Sequence, residues 1–372
     1  MTGAVVLFLL VQVGAPVSVA AQEPSALASF RGGVAAQQRG ELERAAEAYR
    51  QAIEAEPRFA EAHANLGAVL ARLGQYDQAV LSYDRALRIN PQLNGARLNL
   101  GLAHYRAGAL TAAIDAFKAA YAADPSLLQA RQLLGLVLVE AGKGAEAIPH
   151  LEASAQTAPD EPAVLFALGR AYARLGDGRA DAVADRLART RDGLPLWHQL
   201  RGLVLQQADR HDEALAAFEA ASALNDALPR LFVNIGVSRL ALGDHGAARR
   251  AFETALARSD RDAAAHVYLA WLDEQDDRLV DAQRHAEQAV TLDPDLAESR
   301  GLLGRVLLKA GSTSAAVAHF ERAVTVDPQN ASWHFLLGQA HQRLGNATAA
   351  AREFAEAQRL KEQQVLRERK EK

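Results

Sequence analysis

The sequence predicts an all-α protein, a solenoid of about ten helix pairs, and two observations support this prediction. First, the segment from Ala60 to Leu93 recurs along the chain, with the same residue types at the same offsets. Second, each half of the segment carries apolar residues three and four positions apart, the spacing of one helix face. One copy buries too little apolar surface to be stable alone, so the copies are expected to stack.

We number the residues of this copy from 1 to 34. Gly74, at position 15, follows the first helix, where glycine adopts a left-handed cap with the least strain. Asp77 is expected to cap the second helix, and Pro91, at position 32, cannot continue it. Small residues at positions 8, 20 and 27 let the two helices approach closely, and the large Tyr83 at position 24 is expected to fill the remaining space.

The copy resembles the tetratricopeptide repeat, a helix-turn-helix unit of about this length. The residues that carry the resemblance are Leu66, Gly67, Leu70, Gly74, Ala79, Tyr83, Ala86 and Pro91. Copies begin at residues 26, 60, 94, 128, 162, 195, 229, 263, 297 and 331, which predicts a repeat solenoid over residues 26–364. The resemblance implies that the solenoid winds into a right-handed superhelix.

Three copies depart from the pattern. Pro149 falls inside the second helix of the fourth copy and is expected to kink or shorten it. The fifth copy is one residue short and has no bulky aromatic residue at position 24, which predicts a looser contact. In the eighth copy, Asp277 stands where glycine usually lies.

The two ends of the chain differ in character. Ala4 to Val13 form a short apolar run followed by small residues, which predicts a signal peptide over residues 1–21 and a periplasmic or secreted protein. No Lys or Arg precedes the run, and an uncleaved anchor is the alternative, although the run is shorter than the roughly 20 residues that span a membrane. Residues 359–372 are highly charged and predict a solvated capping helix rather than a basic membrane tail.

Composition excludes several function classes. The formal charge is −4, from 41 basic and 45 acidic residues, which argues against a whole-protein role on nucleic acid. The absence of cysteine excludes disulfides, cysteine metal sites and thiol catalysis. The eleven histidines fall on positions 4, 11, 17 and 23, and no HExxH or similar ligand spacing occurs. Gly142-Lys143-Gly144 lacks the Ser or Thr of a phosphate loop, so no cofactor, metal or catalytic site is expected.

The resemblance implies that positions 2, 5, 9, 12 and 13 of the first helices line a concave groove. In this chain they carry eight basic residues, Arg72, Arg106, Arg170, Arg174, Arg230, Arg305, Lys309 and Arg343. They carry four acidic residues, Glu61, Glu140, Glu274 and Glu298. Asn65, Asn99 and Asn234 at position 6 are similar to asparagines that bind peptide backbones in some family members. Trp271, at position 9, is the best candidate for an exposed aromatic contact.

These residues predict a non-catalytic scaffold that binds a protein or peptide in its groove, in cell-envelope assembly or secretion. We expect the partner segment to be extended and acidic or carboxylate-bearing, centred near Arg170 and Arg174. The alternative is that the basic excess is chance on a solvated face. A second function remains open, a substrate-recruiting accessory subunit of an envelope enzyme such as a glycosyltransferase or polysaccharide export system. A cytosolic scaffold would require a different N-terminus. Neither the partner nor the oligomeric state follows from the sequence.

Overall fold

The structure, a computed structural model, describes residues 24–294 and 296–370. Over these ranges the chain forms twenty helices and no strand, which confirms the predicted all-α solenoid fold. In chain order the helices are α1 (Pro24–Gln38), α2 (Leu42–Ala55), α3 (Ala60–Arg72), α4 (Tyr76–Ile89), α5 (Asn94–Arg106), α6 (Leu110–Ala123), α7 (Leu128–Glu140), α8 (Gly144–Thr157), α9 (Pro162–Arg174), α10 (Arg179–Ala188), α11 (Leu194–Gln207), α12 (His211–Leu224), α13 (Leu231–Ala241), α14 (His245–Arg258), α15 (Ala263–Gln275), α16 (Leu279–Leu292), α17 (Ala297–Lys309), α18 (Thr313–Val326), α19 (Ala331–Arg343) and α20 (Ala347–Lys370).

The helices alternate between first helices, with odd numbers, and second helices, with even numbers. Apart from α11, each first helix packs against the second helix that follows it, and each second helix from α2 to α8 and from α12 to α18 packs against the next first helix. The described residues divide into two compact units, one ending at Val204 and the other beginning at Leu205, both within α11. Each unit has its own apolar clusters between the paired helices.

The central packing contact joins the glycine at position 8 to the ring at position 24. A Cβ on Gly67 would lie 2.9 Å from the ring of Tyr83, and one on Gly304 would lie 2.7 Å from the ring of Phe320. Both rings are almost fully buried. The predicted small-against-large packing is therefore confirmed, because only a residue without a side chain lets the ring lie on the helix backbone.

The fifth copy solves the same packing problem differently. Gly169 lies against Leu200 of the next first helix, and a Cβ there would be 2.5 Å from a Leu200 methyl carbon. Leu200 is only 1% exposed, so it fills the space that a position-24 ring fills elsewhere. The partner residue comes from the next copy, which the spacing within one copy does not indicate.

One local prediction is wrong, and the expected shortening of another helix does not occur. Asp77 does not cap α4, because this helix begins at Tyr76 and Asp77 already lies within its first turn. Pro149 does not shorten α8, which has 14 residues, as α4 does. Ala147 and Leu151 of α8 are fully buried, and this packing outweighs the loss of one backbone hydrogen bond at the exposed proline.

Left-handed turns separate the two helices of each pair. Eight glycines at position 15 have φ between 67° and 84°. Asp209 and Asp277 occupy the same position with φ of 54° and 59°, since a short polar side chain tolerates this conformation. Arg230 is also left-handed, with φ 59°, and α13 begins only after it, two residues later in its copy than α15 or α17 does.

The glycine contact predicts a stability difference between two glycine-to-alanine changes. Gly304→Ala is expected to lower the free energy of unfolding by about 1–3 kcal/mol, because the new methyl group overlaps the ring of Phe320. Urea unfolding followed by circular dichroism measures it. Gly246→Ala in α14 is the control, because its Cβ would meet nothing closer than 3.7 Å. Equal destabilisation by both changes would contradict the role of the contact.

Candidate functional site

Three consecutive first helices of the first unit bring polar and aromatic side chains to one face. The Tyr105 hydroxyl of α5 donates a 2.8 Å hydrogen bond to the carboxylate of Glu140 on α7. Burial, followed by the charge of Glu140, raises the pKa of Tyr105, and the nearby positive charges of Arg106 and Arg170 oppose this rise. The charges of Arg106 and Arg170 therefore act on the same hydroxyl.

Helix α9 contributes the rest of this face. The guanidinium of Arg170 lies over the ring of Phe166, 5.7 Å from its centroid, a distance at which a cation is attracted to the ring. Arg174 follows one turn later, and its guanidinium lies beside Gly142, in the turn after α7. We call Tyr105, Arg106, Glu140, Phe166, Arg170 and Arg174 the first-helix patch. Three of the predicted groove residues thus meet in one unit.

In the second unit, two of the predicted basic residues, Arg305 and Lys309, are already paired. The guanidinium of Arg305 forms an ion pair with the carboxylate of Glu274, which is buried. Lys309 donates to the backbone carbonyl of Glu274 and contacts the carboxylate of Asp277, both at 2.9 Å. Asp277 falls at position 15, outside the positions that the sequence comparison counted. The basic excess of these positions is therefore smaller here than the count suggested.

Basic residues at position 13 share a structural contact. The side chain of Lys309 bonds to the carbonyl of Glu274 at the end of α15, and Arg343 bonds to the carbonyl of Leu308 at the end of α17, at 3.0 Å. A cation at a helix C-terminus is stabilising because the last carbonyl groups carry partial negative charge. These residues hold successive first helices together, a role that the sequence did not indicate.

Trp271, the predicted aromatic contact, is half-buried. It packs against the apolar clusters of its unit and meets His245 edge-on at 5.8 Å between ring centroids. Its indole is therefore partly a packing element, and its role in binding a partner stays a prediction.

The remaining predicted residues are dispersed. Asn65 forms a hydrogen bond with the hydroxyl of Tyr49, whose pKa burial raises to about 12. The carbonyl of Asn234 accepts a 3.0 Å bond from Gln206, and Asn99 is half-buried on α5. Arg72 is exposed at the end of α3, and Arg230 is exposed before α13. A role for these residues in binding stays a prediction.

A recurrent hydrogen bond explains the residues at position 4. In five copies a His or Arg side chain at this position contacts a backbone carbonyl six residues earlier, at position 32 of the preceding copy. The pairs are His63 with Pro57 at 3.1 Å, Arg97 with Pro91 at 2.6 Å, His266 with Asp260 at 3.3 Å, Arg300 with Pro294 at 3.1 Å and His334 with Pro328 at 3.3 Å. Several histidines are thus part of the junctions between copies.

Asp273 is the centre of a buried polar network in the second unit. Its carboxylate accepts 2.8 Å bonds from both Arg249 and Arg278, and the ring of His285 lies 4.0 Å away. The Nδ1 atoms of His266 and His285 are 2.9 Å apart. Since the Nε2 of His266 must donate to the Asp260 carbonyl, the Nδ1 of His285 donates to the Nδ1 of His266. Within the described part of the chain no three His, Asp or Glu side chains form a cluster that could hold a metal ion.

This network predicts loss of stability in acid. Burial, helped by the charges of Arg284 and His266 and opposed by Asp273 and Asp281, lowers the pKa of His285 from 6.5 to about 4. The folded protein therefore favours neutral His285 more than the unfolded chain does. This preference stabilises the folded protein above pH 6.5, and the stabilisation is lost as the pH falls towards 4. Urea midpoints across this range measure the loss.

His285→Gln is expected to flatten that pH dependence, because glutamine does not titrate. The matched control is His245→Gln in α14, an exposed histidine for which the full acid loss is expected to persist. The explanation fails if the two variants lose stability in parallel with the unmodified protein.

The two predicted terminal features have different outcomes. The predicted signal peptide, residues 1–21, lies outside the described residues. At the other end the charged segment continues α20 as far as Lys370, without a break from the helix of the last copy. Of the helices described, none is both long enough and apolar enough to cross a membrane.

Comparison with known proteins supports the repeat. The tetratricopeptide repeat model matches residues 30–94, 133–195, 233–297 and 302–365, more than half of the chain. A model for subunit 3 of the anaphase-promoting complex (cyclosome) matches residues 72–154. No curated protein matches.

A solved structure has the same fold. A chain in the crystal structure of the APC/C hetero-tetramer Cut9-Hcn1 superposes with a TM-score of 0.56 at 15% identity, covering 90% of this chain and 73% of that chain. The crystal structure of MamA gives a TM-score of 0.40 at 18% identity, covering 44% of this chain and 96% of that one.

Proposed function

Because the chain belongs to the tetratricopeptide repeat family, whose fold supports a protein–protein interaction scaffold, we propose that it binds an extended acidic segment of a partner protein on the first-helix patch. The observations that support this proposal most directly are the guanidinium of Arg170 over the ring of Phe166, with Arg174 one turn further along α9, and the hydrogen bond that joins Tyr105 to Glu140 beside them.

The chemistry of the patch suits carboxylates. Arginine offers a planar fork of donors that matches a carboxylate, and such charge-assisted bonds are roughly twice as strong as neutral ones. The ring of Phe166 beneath Arg170 limits the freedom of the guanidinium and adds an apolar surface beside it. Glu140 is occupied by Tyr105, which reduces its repulsion of an acidic ligand. The patch therefore offers fixed cations next to half-buried aromatic rings.

The place of action is part of the same proposal. The apolar run Ala4 to Val13 and the small residues after it favour export, so we place the scaffold in the cell envelope, in assembly or secretion. The function is non-catalytic in this proposal, and the partner supplies any chemistry. Capture of a glycosyltransferase or a polysaccharide export component would identify the scaffold as an accessory subunit.

Charge reversal of the patch tests the proposal. The partner is first captured from an envelope extract. Arg170→Glu with Arg174→Glu is expected to weaken its binding by at least about 100-fold at low salt, since each arginine–carboxylate bond contributes about 1.5–3 kcal/mol. Affinity is measured with the purified partner, and it should also fall as salt rises.

The control is Arg85→Glu with Arg88→Glu, which changes the net charge equally on the exposed side of α4 in the same unit. Equal affinity of the two double variants would contradict a patch-specific contact. Failure of the unmodified chain to retain any envelope protein would contradict the proposed compartment.

A further inference from the structure

A concave surface lies in the second unit, among α12, α13 and α14. It is an open cleft of about 460 Å³, within the roughly 300–1,000 Å³ range of small-ligand sites. Phe232 and Ile235 of α13 line it and are half-buried. Three alanines on the neighbouring second helices also line the cleft, Ala223, Ala247 and Ala251. Apolar side chains and small wall residues together leave room for one bulky side chain.

The cleft coincides with a changed junction between copies. Phe232 stands at position 4, where five other copies carry a His or Arg that bonds to the preceding copy. A phenyl ring cannot donate, and Arg258 bonds to Asp226 instead, at 3.0 Å to its carbonyl and 2.7 Å to its carboxylate. Arg258 also lies over the ring of Phe232, 4.9 Å from the centroid. Arg258 thus covers one face of the Phe232 ring, and the ring remains part of the cleft lining.

The charges around the cleft leave one cation without a counter-ion. Glu219 pairs with Arg239 at 3.2 Å, and Asp226 pairs with Arg258. Arg250 is exposed on the wall, and no described residue forms an ion pair with it. Ser222 lines the same space. The cleft therefore combines an apolar base with one available guanidinium and one hydroxyl.

We infer that this cleft binds the C-terminus of a peptide whose last residue is bulky and apolar. The side chain packs on Phe232 and Ile235, and the terminal carboxylate bonds to Arg250 and Ser222. A C-terminal residue carries its charge and its apolar group on one Cα, so both fit within a single cleft of this size. An internal acidic residue would place its charge one residue away from an apolar neighbour. The cleft is formed largely by second helices and is independent of the first-helix patch.

Fluorescence polarisation with the full chain tests the inference. The probe is a fluorescein-labelled peptide, Gly-Ser-Gly-Ser-Gly-Leu, with a free C-terminal carboxylate. We expect at least tenfold weaker binding of the same peptide as its amide, and of the acid in which serine replaces the terminal leucine. Absence of binding by the free acid, or equal binding of acid and amide, would overturn the inference.

Variants locate the site. Arg250→Gln is expected to weaken the probe about tenfold, whereas Arg284→Gln, the same position in the next copy, should leave it unchanged, because Arg284 already pairs with Asp281. Ala223→Trp should abolish binding by filling the cleft from an exposed position, with circular dichroism confirming the fold. If the Arg250 and Arg284 variants lost probe binding equally, the assignment of Arg250 to the site would be overturned. The Arg170→Glu/Arg174→Glu protein should bind the probe normally, which separates this site from the first-helix patch.

Discussion

The stacking of helices in each unit depends on the contact between a position-8 glycine and the position-24 ring. The ring lies against a stretch of helix backbone that bears no side chain, so the two helices of a pair come close enough to exclude water. Each first helix then has a defined place beside the next, and positions 9, 12 and 13 of successive copies reach a common face. The relation of Tyr105 to Glu140 and Arg170 is a consequence of this spacing.

Periodicity within one copy predicted the features that one copy contains: helix type, the glycine turns and the glycine–ring contact. It did not predict features that depend on neighbouring copies. Leu200 fills the space beside Gly169 from the next first helix, and the buried neighbours of Pro149 keep α8 intact. Local propensity is a weak term in both places, because tertiary packing contributes more free energy than one cap or one backbone hydrogen bond.

In the candidate site, too, features that depend on neighbouring copies were not predicted from the sequence. The family resemblance implied which basic residues line the groove, and their role in binding stays a prediction. It did not predict which of them would be neutralised, since the partner of Arg305 lies on α15 and belongs to a different copy. Nor did it indicate that position-13 cations stabilise helix ends or that Trp271 packs against the core. Basic residues at one repeat position can thus serve the junctions between copies, which the count of charges at that position does not show.

In five copies the hydrogen bond from position 4 to position 32 of the preceding copy makes the copy incomplete at its own edge. The donor and its acceptor are six residues apart along the chain, but they belong to different copies. Among copies of 34 residues, duplication or deletion of a whole number of copies keeps this spacing, whichever residue begins the segment. Growth or loss in whole copies therefore leaves these junctions intact and retains no mark of where each step began. The 33-residue fifth copy shows that the chain also accommodates one departure from this step.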